Sequence, residues 1–171
     1  MTSQNDVLVF VSLGSNIEPE KNLQLAVNKL REHCTIIAIS SVYQTPPYGD
    51  TEQADFLDVV VKLTTDREPL DFKVNVLRQI EAELGRVRTP QNKYGPLTLD
   101  MDIMLWDDLV FDYGEKPWHV PNAGLIEYAA DALPLAEIAP NMIHPETGQT
   151  MSEIIDSLDQ SGIIKTSVKI T

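Results

Sequence analysis

The 171-residue chain contains a single cysteine, only 13 Lys and Arg against 26 Asp and Glu, and no apolar run near the roughly 18 residues that a membrane span needs. Each shortage excludes something. Cys34 alone allows no internal disulfide and no cysteine-rich metal site, which fits a reducing cytoplasm, and a catalytic thiol is not expected. The N-terminal MTSQNDVLVFVSLGSN lacks a basic leader and its apolar run has strand length, so it reads as a first strand rather than a signal peptide. A formal net charge of −13 opposes general binding to nucleic acid or to an anionic membrane, so a polyanionic substrate must meet a local positive patch. No GxxxxGK[ST] motif is present, which excludes a P-loop kinase, and the Gly14-Ser15-Asn16 turn is too short to read as a phosphate cradle. There is no repeat, low-complexity tract or linker. With 43% hydrophobic residues, one domain spanning residues 1–171 is expected.

What is present alternates between strand and helix patterns. Val7 to Leu13 is rich in β-branched residues and ends at Gly14, and Leu23, Val27 and Leu30 follow helical spacing from Pro19 to about His33. Thr35 to Tyr43 reads as a second strand, Thr45-Pro46-Pro47 opens a polar loop that runs to Asp55, and Phe56 to Leu63 reads as a third strand. Pro69 suits the first turn of a helix whose Leu70, Val74, Leu77, Ile80 and Leu84 form one apolar stripe, stopped by Gly85. Leu99 to Trp106 is the fourth strand, and Asp107-Asp108 is expected to turn it into a hairpin with Leu109 to Phe111. Helices are expected over 123–138 and around Met151 to Leu158, with a final strand at Ile163 to Ile170. The order predicts an α+β fold: a ferredoxin-like core, its mainly antiparallel sheet covered by helices, with a C-terminal extension.

The stretch Tyr94 to Trp106, YGPLTLDMDIMLW, puts two carboxylates where a buried strand should be apolar. Strand side chains alternate, so Asp100 and Asp102 share one face, about 7 Å apart, while Leu99, Met101 and Ile103 take the other. Two readings fit that pattern equally: a divalent metal site, or two solvated aspartates on the open face of an antiparallel sheet. Just before it, Gly85 to Gly95 holds Arg86, Arg88 and Lys93 and no acid, the positive patch that so acidic a chain requires. Carboxylates that hold Mg²⁺ beside arginines that offset phosphate charge are what phosphoryl-type transfer needs.

The segments SLGSN at Ser12 to Asn16, SSVYQTPPYG at Ser40 to Gly49, IEAELGRVR at Ile80 to Arg88, YGPLTLDMDIML at Tyr94 to Leu105, Val120-Pro121 and PLAEIAP at Pro134 to Pro140 stand in a fixed order and spacing. On these the chain resembles the 6-hydroxymethyl-7,8-dihydropterin pyrophosphokinase family of folate biosynthesis. The resemblance implies transfer of pyrophosphate from ATP to the pterin hydroxymethyl group with release of AMP. It implies that Asp100 and Asp102 hold two Mg²⁺ ions that bridge the triphosphate, and that Arg86 and Arg88 lie on a basic loop closing over ATP. It further implies Glu81 and Thr98 as nucleotide contacts, and Thr45, Pro46, Phe56 and Asp58 as pterin contacts. ATP and a hydroxymethyl dihydropterin are then the partners of a cytoplasmic monomer that binds neither nucleic acid nor membrane.

The same resemblance exposes departures. Leu97 stands where the family motif has arginine, Asn122 where a histidine follows Val-Pro, and Tyr128 and Ala130 where an arginine and a pterin-stacking aromatic are spaced; Asp58 replaces an asparagine. Lost charged hydrogen bonds are worth about 1.5–3 kcal/mol each, so a slow enzyme is expected. Lys93, Lys116 and His119 are the cations available to compensate, and Tyr128 the ring available to stack. The alternative is a non-catalytic or altered-substrate paralogue that keeps the fold and ATP·Mg binding.

Overall fold

The computed structural model describes residues 6–171. β1 (Val7–Ser15) lies between β4 (Phe56–Thr65) and β5 (Asp100–Trp106), and β2 (Thr35–Ile39) and β3 (Tyr43–Thr45) both pair with β4. All these pairings are antiparallel. Helix α1 (Pro19–Leu30) joins β1 to β2, and a second helical rod joins β4 to β5, which is the expected ferredoxin-like arrangement. β1 shows how the layers form. Val9, Val11 and Leu13 face α1 and the second rod, while Phe10 faces the helices of the C-terminal region. Those are α4 (Gly124–Glu127), α5 (Ala129–Ile138) and α6 (Met151–Asp156), of which α5 and α6 supply Leu135, Met151 and Ile154 to the second core. The sheet is therefore apolar on both faces, each covered by helices.

Four expectations change in detail. The second strand breaks after Ile39, because Ser40 turns its hydroxyl to accept from the Val60 amide (2.9 Å), and pairing resumes only at Tyr43. The fourth strand does not continue into a hairpin. Asp107, at φ 47°, accepts from the Leu8 amide and donates to the Leu8 carbonyl, which holds it to β1. The chain then leaves the sheet, with Leu109 and Val110 exposed, and β6 (Phe111–Tyr113) pairs instead with β7 (Trp118–Val120) in a separate ribbon. The final strand is reduced to β8 (Ile164–Lys165) on β3.

The fourth change matters most for the site. The second rod starts as α2 (Pro69–Asp71), passes through a π-helical turn at Phe72–Leu77 and resumes as α3 (Arg78–Glu83). A π turn carries an extra residue per turn, so it rotates everything before it relative to an unbroken α-helix. Leu70 and Val74 consequently point outward, while Phe72, Val76, Leu77 and Ile80 form the buried stripe. The same rotation drives Lys73 inward, to 3% exposure. Phe72→Ala should therefore cost about 3–5 kcal/mol in urea denaturation and Leu70→Ala under about 1 kcal/mol. Equal costs at the two positions would restore the unbroken stripe.

Candidate functional site

Strand periodicity builds the centre of the site. Along β5, Leu99, Met101 and Ile103 are buried against the first core, and Asp100 and Asp102 project half-exposed from the other side. Register places Asp100 opposite Gly14 and Asp102 opposite Ser12 of β1, so small residues leave room beside both carboxylates.

Each carboxylate is already paired. Arg86 donates to Asp100 Oδ1 (3.0 Å) and to the Leu99 carbonyl (2.6 Å). Lys73 Nζ donates to Asp102 Oδ1 (2.6 Å) and to the Met101 carbonyl (2.8 Å). Burial, followed by repulsion from Asp100, raises the Asp102 pKa above the ordinary carboxylate value, and Lys73 opposes that rise. Glu81, 2% exposed, accepts from the Met101 amide (2.8 Å) and from Arg88 (2.5 Å), and lies 3.7 Å from Arg86. It ties α3 to β5 and holds the arginines from behind, outside the cavity.

A cavity of about 690 Å³ opens in front of the carboxylates and brings together Thr45, Pro46, Phe56, Asp58, Arg86, Asp100 and Asp102. Arg88, Glu81 and Thr98 do not line it. The Thr98 hydroxyl is instead buried without a hydrogen-bond partner, as is that of Thr64. The four departures at Leu97, Asn122, Tyr128 and Ala130 all line the cavity, so they bear on whatever binds there. Lys93 lines it too, with its ammonium 5.2 Å from the Tyr94 ring centre. The other two candidate compensating cations do not. Lys116 lies in a separate cleft with Arg78 and Trp118, and His119 bonds Asp112 (2.7 Å) and Glu146 (2.9 Å), which raise its pKa. Trp106 is a packing residue, edge-on to Phe72, whereas Trp118 carries the Arg78 guanidinium 4.7 Å from its ring centre.

At the far end Thr45 donates to Asp58 Oδ2 (2.5 Å), and burial lifts the Asp58 pKa to about 7; the Thr45 bond lowers it, and the charges of Asp131 and Asp100 push it further up. A side chain at position 14 would put its Cβ 2.6 Å from Asp58 Oδ1, so Gly14 is what lets this carboxyl sit there. Asp131 is lifted to about 6 by burial and by Asp102 and Asp100. Over the mouth, Tyr48 meets Tyr94 edge-on at 5.7 Å and Tyr128 at 5.8 Å.

Three residues of this site had no assigned role from the sequence. Asn16 staples two loops: its amide nitrogen donates to Gln53 Oε1 (2.8 Å) and the Ala54 carbonyl (2.9 Å), and its oxygen accepts from the Leu97 amide (2.9 Å). Lys73 stands between Phe72 and Val74, and Asp131 between Ala130 and Ala132, and that interruption of an apolar run is the available signal.

The donor set suits a hard divalent cation. Among the described residues no group of three or more His, Cys, Asp or Glu could hold a metal alone. Mg²⁺, however, is commonly held by one or two carboxylates with phosphates and water completing the shell. No protein donor reaches Asp100 Oδ2 or Asp102 Oδ2 among the described residues, so each acid keeps one oxygen available.

Asp58 also makes a prediction about stability. Its folded pKa lies above the unfolded value, so between roughly pH 4 and 7 the native state binds more protons and stability falls as pH rises. Asp58→Asn should therefore stabilise the fold by roughly 1–3 kcal/mol at pH 8 and by much less at pH 4.5, read from urea midpoints. An equal gain at both pH values would show that the carboxyl is not held neutral.

Residues 10–140 match the model of the 7,8-dihydro-6-hydroxymethylpterin-pyrophosphokinase family. The chain is 34% identical over 158 residues to the Pseudomonas aeruginosa 2-amino-4-hydroxy-6-hydroxymethyldihydropteridine pyrophosphokinase, covering 91% of this chain and 94% of that protein. It is 31% identical over 164 residues to the Schizosaccharomyces pombe folic acid synthesis protein fol1, covering 94% of this chain and 22% of that much longer protein. A solved Plasmodium falciparum HPPK-DHPS A437G structure with STZ-DHP superposes over 91% of this chain and 46% of that one, with a TM-score of 0.71 at 13% identity, a likeness of fold. The chain thus spans about a fifth of fol1 and under half of the Plasmodium chain. With β5 and its paired carboxylates inside the matched span, the chain belongs to the 7,8-dihydro-6-hydroxymethylpterin-pyrophosphokinase family.

Proposed function

We infer that this chain transfers the pyrophosphoryl group of ATP to the hydroxymethyl group of 6-hydroxymethyl-7,8-dihydropterin and releases AMP, as the family name and the printed names of its bacterial relatives describe. The observation that carries the reading is the cavity, which joins two half-exposed carboxylates to a pocket of Thr45, Pro46, Phe56 and Asp58. The carboxylate end takes the triphosphate and the other end takes the pterin. Asp100 and Asp102 would hold Mg²⁺, two ions as the family resemblance implies, which when bound would supply charge neutralisation and orientation for displacement at the β-phosphorus.

The remaining work falls to side chains of this chain. Arg86 and Lys73 hold the two carboxylates in place through Oδ1, leaving Oδ2 on each for ligation. Phe56 offers a ring for the pterin, and Asp58, near neutral, both donates and accepts, as the two-sided edge of an aminopyrimidinone requires. Arg88 reaches nucleotide only if the loop 85–95 shifts, because it is spent on Glu81 in this arrangement. Closure of that loop with Tyr48, Tyr94 and Tyr128 would exclude the water that competes with the pterin hydroxyl. We further infer that residues 1–171 act as one domain, monomeric and cytoplasmic. No helix among the described residues is long and apolar enough to cross a membrane.

AMP release should require Mg²⁺, ATP and the hydroxymethyl dihydropterin together; absence of AMP at high protein concentration would end the reading. Asp100→Asn should abolish Mg²⁺-dependent nucleotide binding by calorimetry with little loss of fold, whereas Asp102→Asn strands the Lys73 ammonium and should also cost about 1–3 kcal/mol of stability. Leu97→Arg, placing a cation on the cavity wall, should raise turnover at least about tenfold if one charged phosphate contact is restored. An unchanged rate would place the deficit elsewhere.

A further inference from the structure

Lys73 is 3% exposed, sits on the π-helical turn, and spends its ammonium on Asp102 Oδ1 and the Met101 carbonyl, with the Trp118 ring centre 5.5 Å away. A buried lysine is costly unless paired, and a helix that gains a π turn to present one has directed it at a particular partner. That partner is one of the two carboxylates the pyrophosphokinase reading gives to Mg²⁺. We propose that Lys73 is a positioning residue that keeps the carboxylate pair electrically satisfied before nucleotide arrives, so that the site refuses free divalent cations and loads metal only as a metal–nucleotide complex. The inference rests on that reading of Asp102.

The charge pattern carries it. Asp100 is paired with Arg86, Asp102 with Lys73 and Glu81 with Arg88, so three acids and three bases cancel across the floor of the site. Among the other carboxylates on the cavity wall, Asp58 and Asp131 are the two that burial, followed by the charge of neighbouring carboxylates, shifts toward the neutral form, and Glu127 and Asp159 share the wall with the Lys93 ammonium. At the two ligand carboxylates themselves a bare divalent ion therefore meets charge that is already paired, and at Asp102 it meets a fixed ammonium on the adjacent oxygen. A metal–nucleotide complex still carries negative charge. Its phosphates gain from Lys73 and Arg86 what the bare ion loses, while its metal finds Oδ2 on both acids. Lys73 also fixes the rotamer of Asp102, so ligation requires no search for geometry.

The test uses Mn²⁺ as the probe, with free ion followed by electron paramagnetic resonance, with and without a non-hydrolysable ATP analogue. Wild-type protein should bind Mn²⁺ weakly alone and tightly with the analogue. Lys73→Met should raise affinity for Mn²⁺ alone on the order of a hundredfold, since it removes one charge at close range from a ligand carboxylate, and should weaken binding of the Mn²⁺–analogue complex. Lys73→Arg should titrate like wild type, because the charge and its donor are kept. Lys73→Gln, which retains a donor for the Met101 carbonyl, takes the place of the methionine variant if that one fails to fold by circular dichroism. Identical Mn²⁺ titrations of wild type and the neutral variants without nucleotide would overturn the proposal, as would a loss of affinity in them. Failure of wild type to bind Mn²⁺ even with the analogue is a different result, which removes the pyrophosphokinase reading itself and this proposal with it.

Discussion

Two like charges fixed on one face of one strand are the constraint to which the rest of this molecule answers. Side chains on β5 alternate without exception from Leu99 to Ile103, so Asp100 and Asp102 cannot turn away from each other without turning Met101 out of the core. The fold meets that constraint from behind. The α2–α3 rod crosses the back of β5 and delivers Lys73 to one carboxylate, Glu81 to the Met101 amide and, just beyond its end, Arg86 to the other carboxylate. The π turn belongs to the same solution, because an unbroken helix carrying the Leu70 stripe inward would leave Lys73 facing elsewhere.

The front of the site is arranged differently. At the positions where the resemblance leads one to expect phosphate-binding cations the cavity wall has Leu97, Asn122 and Tyr128, and the carboxylate Asp131 lines it too. The departures at Tyr128 and Asp58, and the acid Asp131, are accommodated in two physically distinct ways. Tyr128 joins Tyr48 and Tyr94 in an edge-to-face cluster at the mouth, exchanging a charge for an apolar closure. Asp58 and Asp131 are tolerated in a confined space because burial moves both toward the neutral form, in which a carboxyl group donates as well as accepts. The substitution at Leu97 has no such compensation in the structure. The cations that contact Asp100 and Asp102 are thereby concentrated on the floor of the site, in Arg86 and Lys73, and Lys93 is the cation left on the wall.

Strand period and motif order carried most of this architecture openly in the sequence. The alternation that sets Asp100 and Asp102 apart from Met101 needs only the two-residue repeat, and Thr45, Pro46, Phe56, Asp58 and Arg86, which the resemblance names as ligand contacts, line one cavity in the structure. What stayed hidden depended on single side chains overruling local pattern. A stripe counted at 3.6 residues per turn cannot register an extra residue, so Leu70 and Val74 were assigned to a core they do not enter. A hairpin inferred from Asp107-Asp108 did not allow for an aspartate that hydrogen-bonds back to Leu8 and keeps its own strand in register. The arginines of the basic loop were legible as charge, but not as partners already committed to Asp100 and Glu81.

Net charge and local charge point in opposite directions in this protein, and distance decides between them. The chain carries −13 overall, yet at physiological ionic strength exposed charges are screened beyond about 8 Å, so most of that excess is not felt inside the cavity. Within that distance the floor of the site is neutral pair by pair. A highly charged free nucleotide gains little from such a floor, and a free cation gains little either. Their complex is the species whose charges match what the site exposes: available carboxylate oxygens for the metal and, immediately behind them, an ammonium and a guanidinium for the phosphates. Pairing the carboxylates internally therefore costs the site affinity for each component alone and turns the remaining attraction into selectivity for the two together.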